Sequence, residues 1–307
     1  MRLGAAGRIA LSAAVFAAIL WFLDIRRLVA LIAGASPKWL IVAAAASLGG
    51  YYLSARVLSA LSRGSIAPAA IFRVNLISVY FGTFLPGDIA AGLVSRIRYL
   101  GMSSWQEVLN RTVAERLLGL AAYSALAGAA LAGSSYWPVL GWVGFVPPAA
   151  VMVATGVALA AMARPGAVLA AMPWLKRLIA RVSPDRELPP LGLSYHAVAW
   201  ALVTYLVMSL VPFALLRALD VDITYADAIV IGYLLTIAQL VPFFFAGIGI
   251  RDLSALALMS AIGVASEVAI AFSALSLAMI IVLAVTGGLV QLGAEGRHDR
   301  GKDGGGP

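Results

Sequence analysis

Residues 84–96 read FLPGDIAAGLVSR. An apolar run reaches Pro86 and Gly87. A carboxylate, Asp88, follows at once, then a mostly small, apolar stretch, then Arg96 and Arg98. Proline removes a backbone donor and glycine lets the chain turn. In lipid, the freed N–H and C=O groups have no partner. Such a break is tolerated only where it is buried in protein or lines a wet cavity. Asp88 and Arg96 would each cost about 2.5–3.5 kcal/mol at the centre of a lipid-exposed helix. The stretch therefore reads as the tip of a hairpin inside the membrane, facing polar surroundings.

The rest of the chain makes a membrane the setting. Of 307 residues 62% are hydrophobic and 12% charged, and the mean hydropathy is +0.97. A soluble domain carries roughly 25% charged residues. Apolar segments fall at 9–23, 39–61, 69–85, 112–133, 137–163, 195–219, 226–245 and 267–293, with shorter ones at 89–100 and 250–263. Most reach the roughly 20 residues that a spanning helix needs. The N-terminal segment has a basic start and no small-x-small cleavage site, so it is read as an uncleaved first span. Segment 166–182 carries Lys176, Arg177 and Arg181 among apolar residues and predicts an interfacial amphipathic helix. The tail 294–307 is glycine-rich and is predicted to be disordered.

Basic residues set the orientation. Arg164, Lys176, Arg177, Arg181 and Arg186 place the 164–193 connection in the cytoplasm, and Arg297, Arg300 and Lys302 place the tail there too. The connection 220–227, DVDITYAD, holds three aspartates and no basic residue, which allows the far side. With 195–219 going out and 267–293 coming back, 226–263 must begin and end outside, as a re-entrant hairpin with VPFFFAGIGIRD at its tip. The same reasoning makes 69–100 a hairpin entered from the cytoplasm, at the cost of leaving Arg26, Arg27 and Lys38 outside. The predicted fold class is thus an all-α polytopic membrane protein. It is an inverted-topology repeat of about six spanning helices plus two re-entrant Pro/Gly-broken hairpins, with both termini cytoplasmic. It forms one transmembrane domain over 1–293, with repeats at about 1–133 and 137–293. Eight plain spanning helices are the competing topology.

The second tip repeats the chemistry of the first, with Pro242, Gly247, Gly249, Arg251 and Asp252. After the first tip, Ser104 and Glu107 fit a capping box opening a helix from about Trp105 to Gly133. On it Arg111 and Glu115 are spaced i,i+4 and share a face, with Arg116 about 100° round. Two readings compete for Glu115 and Arg116. They form a solvated first turn with a helix-internal ion pair, or they face a cavity beside Arg96 and meet an anionic headgroup or its counter-charge. Arg56 and Arg73 sit near segment ends and are expected to snorkel. Asn75 and Gln239 hold matching places ahead of the two tips; they line the cavity or make helix–helix hydrogen bonds.

Several chemistries have no foothold. There is no Walker loop, and the Gly-x-Gly at 247–249 lacks a GxGxxG and lies in a membrane segment. The chain has no cysteine and only two histidines, His196 and His298. No cofactor or metal is expected, and the chain reads as a non-enzyme. The net charge of +8 sits mostly at segment ends, where it meets anionic lipid headgroups rather than nucleic acid.

The run 84–120 resembles the first signature of the lysylphosphatidylglycerol synthase transmembrane, flippase-like family. Its Pro-Gly, Arg, Leu and Glu-Arg elements correspond to Pro86, Gly87, Arg96, Leu100, Glu115 and Arg116. The stretch 241–263 resembles the second signature through Pro242, Gly247, Gly249, Asp252 and Gly263. Asp252 stands where members usually carry glutamate, and Ser276 lies near the place of an arginine of the last helix. The resemblance does not reach the soluble aminoacyl-transferase domain. It implies a flippase-like transporter that moves a charged phospholipid or lipid-linked intermediate between leaflets of a bacterial inner membrane. A secondary transporter for a small anion and a non-transporting scaffold are the rival functions.

Overall fold

The computed structural model describes residues 25–84, 88–100, 105–163, 193–239 and 250–303. It is helical, with no strand among the described residues. The elements are α1 (Ile25–Ala33), α2 (Pro37–Leu61), α3 (Pro68–Phe84), α4 (Asp88–Leu100) and α5 (Trp105–Leu131). A one-turn helix α6 (Trp137–Leu140) and a 3-10 turn (Gly141–Phe145) lead into α7 (Val146–Ala163). The second half holds α8 (Tyr195–Ala218), α9 (Tyr225–Ala238), α10 (Ile250–Ala261) and α11 (Ser266–Asp303). The first apolar segment, the interfacial helix expected at 166–182, the Ser104 capping position and the residues of both tips from 85 to 87 and 240 to 249 lie outside the described residues.

Local signals fix the helix ends. Pro37 and Pro68 open α2 and α3, where a missing N–H costs nothing. Ser194 caps α8 by accepting from the Ala197 N–H. Thr224 and Asp227 form a complete capping box on α9. Gly64 (φ 75°) and Gly263 (φ 78°) reverse the chain after α2 and α10 in a conformation that a side chain would strain.

Four apolar runs, Pro37–Leu61, Trp137–Ala160, Tyr195–Ala218 and Ser266–Leu292, are long and apolar enough to cross a bilayer. The chain is a multi-pass membrane protein. By contrast α3, α4, α9 and α10, over their described residues, have 17, 13, 14 and 12 residues, fewer than the roughly 20 of a typical crossing. Helix α5 has 27 residues but carries Glu107, Arg111, Glu115 and Arg116 in its first half.

Two boundaries differ from the sequence reading. Segment 137–163 is not one helix; Pro138, Gly141, Pro147 and Pro148 break it into α6, the 3-10 turn and α7. Helix α11 continues through the glycine-rich tail to Asp303, where composition predicts disorder.

Helix α2 runs antiparallel along α8. Trp39 meets Phe213 edge-on with ring centroids 5.8 Å apart, Gly50 faces Met208, and the Arg56 guanidinium lies over the Trp200 ring at 4.5 Å. Small buried residues, Ala43, Ser47, Gly50 and Ala55 on α2 with Ala197, Ala201 and Thr204 on α8, bring the two backbones together. Around this seam α3 packs on α11 and α5 on α9. Helix α3 also pairs with α4, and α9 with α10. Helix α7 flanks α5, and α1 flanks α11. Arg56 thus lies over an indole, a cation–π contact worth about 0.5–2 kcal/mol, rather than simply snorkelling to solvent.

Candidate functional site

Five polar side chains from four helices of the first half converge on one buried point. Asn75 comes from α3, Arg96 from α4, Thr112 and Glu115 from α5, and Ser54 from α2. Arg96 and Glu115 are each 9% exposed at the side chain, and their closest atoms, Nη2 and Oε2, are 2.8 Å apart. Arg96 Nη1 donates to Thr112 Oγ1 at 2.6 Å, and Nη2 donates to Asn75 Oδ1 at 3.3 Å. Ser54 Oγ donates to Glu115 Oε1 at 2.6 Å.

The arrangement follows from helical spacing. Thr112 precedes Glu115 by three residues, so both point from one face of α5 toward α4. Arg96 and Arg98 are two apart on α4 and diverge. Arg96 is buried, whereas Arg98 is exposed and sits 5.6 Å from the Tyr99 ring centroid.

A buried cation in this setting demands partners, and Arg96 has three. The carboxylate is less evenly served. Its Oε1 receives the Ser54 hydroxyl, but Oε2 has no aligned donor, even though Nη2 is at contact distance. Charge proximity alone holds that oxygen. The pair is therefore neutral as a unit, yet its hydrogen bonding is incomplete on the carboxylate side.

Of the two readings of Glu115, its position beside Arg96 is the one found. The i,i+4 partner of Arg111 is Glu107, one turn earlier, with both side chains half-buried. Glutamate on the N-terminal side of the basic residue is the better order on a helix, and it leaves Glu115 for Arg96. Arg116 is exposed. Asn75 takes part in the cluster. Gln239 does not: it is exposed at the C-cap of α9, and its Nε2 donates to Leu235 O at 3.0 Å. In the second half Asp252 is buried in the first turn of α10, where a carboxylate complements the helix dipole. Pro86, Gly87, Pro242, Gly247 and Gly249 lie outside the described residues, as do the side chains of Asp88 and Arg251. Among the described residues no group of histidine, aspartate and glutamate has the grouping to hold a metal.

Sequence reasoning missed Ser54, Thr112 and Asp227. Thr112 could have been found from its spacing to Glu115. Asp227 was read only as an acid in an outer connection. It is fully buried, and it accepts the Ser135 N–H at 2.6 Å and the Thr224 N–H at 2.9 Å, plus both hydroxyls of those residues. It bolts the end of α5 to the start of α9. A third polar group lies further along the same helices, where Tyr123 of α5, Tyr205 and Ser209 of α8 and Tyr233 of α9 meet.

A family model described as lysylphosphatidylglycerol synthase TM region matches residues 9–288. The match spans nearly all of the chain, which therefore belongs to this family. No curated protein and no solved structure matches the chain.

Proposed function

We propose that this member of the lysylphosphatidylglycerol synthase TM family is a flippase-like transporter for an anionic phospholipid or lipid-linked intermediate, with no enzymatic step of its own. The observation that carries the reading is the buried Arg96–Glu115 pair. Arginine is suited to phosphate because its planar fork binds two oxygens at once. With no substrate, Glu115 fills that role. A lipid phosphate would exchange with Glu115, whose Oε2 contacts Arg96 Nη2 at 2.8 Å without an aligned donor. Exposed Arg98 and Arg116, together with half-buried Arg111, would gather anionic headgroups near the cluster.

The family description points to lipid handling, and the helix order supports an inverted repeat. Each half runs long, short, short, long: α2 to α5, then α8 to α11. Exchanging α2 with α8, α3 with α9, α4 with α10, α5 with α11 and α1 with α7 leaves the α2/α8 pair in place and turns every other helix pairing described above into another one. The antiparallel α2/α8 seam fits a two-fold axis in the membrane plane. The short pairs α3–α4 and α9–α10 are then the two re-entrant hairpins, entering from opposite faces. Positive-inside placement of Arg63 and Arg111 argues for their end of the bundle, and both termini, facing the cytoplasm of a bacterial inner membrane.

The test uses proteoliposomes carrying a headgroup-labelled anionic phospholipid and an impermeant quencher outside. Wild-type protein is expected to expose inner-leaflet label to the quencher, and Arg96→Ala to lose that activity while still inserting. Wild-type rates equal to those of empty liposomes, across anionic and lipid-linked headgroups, would discard the reading.

A further inference from the structure

From Leu117 to Ala163 the chain contains no Asp, Glu, Lys, Arg or His. That stretch holds the apolar part of α5, all of α6 and α7, and the turn that joins them. Some other helix connections in the chain carry charge, such as Arg63 after α2 and Asp220 with Asp222 after α8. This turn replaces charge with aromatic surface. Trp137 meets Trp142 and Phe145 edge-on and those two rings tilt against each other, with ring centroids 5.3–5.9 Å apart. Trp142 is 79% exposed and Val143 is 74% exposed, so no part of the described protein covers them. From Glu115 to Leu131, the last residue of α5, the helix rises roughly 24 Å at 1.5 Å per residue, most of the hydrocarbon core's thickness of about 30 Å. The turn therefore lies at the membrane boundary opposite the Arg96–Glu115 cluster.

We infer that the Trp137–Phe145 turn is a lipid-docking element, seated in the headgroup–acyl boundary of that leaflet, and that it fixes the position of the α9–α10 pair. Amphipathic indole rings favour that depth. The apolar turn is continuous with the outer face of α7, where Val146, Val153 and Val157 are exposed. The residues just ahead of it face the other way, into protein. Ser135 donates through both N–H and hydroxyl to Asp227 at the head of α9. Tyr136, 1% exposed, donates its hydroxyl to Leu258 O on α10 at 2.9 Å. One short segment thus ends in lipid on one side and is clamped to both members of a helix pair on the other.

The natural chain has no cysteine, so single labels need no background removal. Val143→Cys would carry a nitroxide in vesicles of phosphatidylcholine and phosphatidylglycerol. The expected result is high collision with oxygen and low collision with a water-soluble nickel chelate, as at Val153→Cys on α7. Nickel access as high as at Arg63→Cys would place the turn in water and overturn the docking. Shielding from both reagents would mean a protein covers it, which also overturns it. For the clamp, a second label at Ser260→Cys on α10 gives the distance to position 143. The distribution is expected to be narrow and to broaden at least twofold when Tyr136→Phe removes the hydroxyl. An unchanged width would remove the coupling. Tyr136→Phe keeps the buried ring, so loss of folding is not the expected confounder; retained thermal unfolding temperature checks that. Neither measurement depends on transport, so its failure is separable from failure of the flippase reading.

Discussion

Arg96 on α4 and Glu115 on α5 form a buried ion pair at 2.8 Å whose carboxylate lacks an aligned donor on Oε2. Removing one member of such a pair leaves an uncompensated charge, which is costly by about 3–5 kcal/mol, whereas replacing both with apolar groups is often neutral. The pair therefore allows stability and transport to be separated.

The double variant Arg96→Met, Glu115→Leu is expected to unfold within a few degrees of wild type and to transport nothing. Thermal unfolding in detergent and the liposome assay report the two quantities. A double variant that keeps wild-type transport would show that the pair only braces the helices.

Glu115→Gln leaves Arg96 without its counter-charge. Phosphate is then expected to bind as tightly or more tightly and to leave more slowly. The transport rate should fall at least tenfold, about 1.4 kcal/mol in barrier. Glu115→Asp, which keeps charge and shortens reach, should fall between. A variant with normal rates and only lowered thermostability would return Glu115 to a packing role.

Ser54→Ala deletes the hydroxyl that reaches Glu115 Oε1 at 2.6 Å. Hydrogen bonds to charged groups contribute about 1.5–3 kcal/mol, and a loss of that size is expected in equilibrium unfolding. No change in stability would mean that water replaces the hydroxyl.

At Gly287, α11 crosses close over the α3 backbone. A Cβ there would lie 2.0 Å from Leu76 O, a backbone atom that cannot swing aside. Gly287→Ala should cost about 1–3 kcal/mol through overpacking. Gly156→Ala on α7, where nothing lies within 4 Å, should be neutral or stabilising. Equal unfolding temperatures for the two variants would contradict the close crossing.

Orientation is open to direct measurement. Arg63 and His196 border one cavity of about 420 Å³ at one end of the α2/α8 seam, while Ser36 N donates to Ala218 O at the other. Cysteines at 63 and 196 should label from the cytoplasmic side, and one at 222 only from the opposite side. Labelling of 63 and 222 from the same side would break the proposed topology.

Much of the helical layout was legible because hydropathy and punctuation agree. The 39–61, 69–85, 195–219 and 226–245 segments correspond to α2, α3, α8 and α9, whose ends carry Pro37, Pro68, Ser194 and Thr224. Where the two signals part, the reading slipped. The 137–163 run is apolar throughout, so hydropathy concealed the prolines and glycines that break it. In the site, Arg96 and Glu115 stood out because charge in lipid is rare. Ser54 did not, since a hydroxyl in an apolar helix ordinarily bonds its own backbone, as Ser47 does to Ala43 O. Asp227 looked like a solvated acid because a capping box buried by a neighbouring helix end cannot be told from an exposed one in sequence. Asn75 and Gln239 hold matching positions in sequence, but Asn75 accepts from Arg96 of the next helix whereas Gln239 donates back to its own helix at Leu235 O.

The uncharged stretch from Leu117 to Ala163 also bears on how the chain is made. Inserting machinery reads topology from lysine and arginine near segment ends, and for the whole of this stretch there is nothing to read. Helices α5 and α7 must then enter the bilayer as one unit. Its direction is dictated from outside, by Arg111 and Arg116 ahead of it and Arg164 behind it. A single lysine placed in the turn would give the nascent chain a competing instruction where it otherwise receives none.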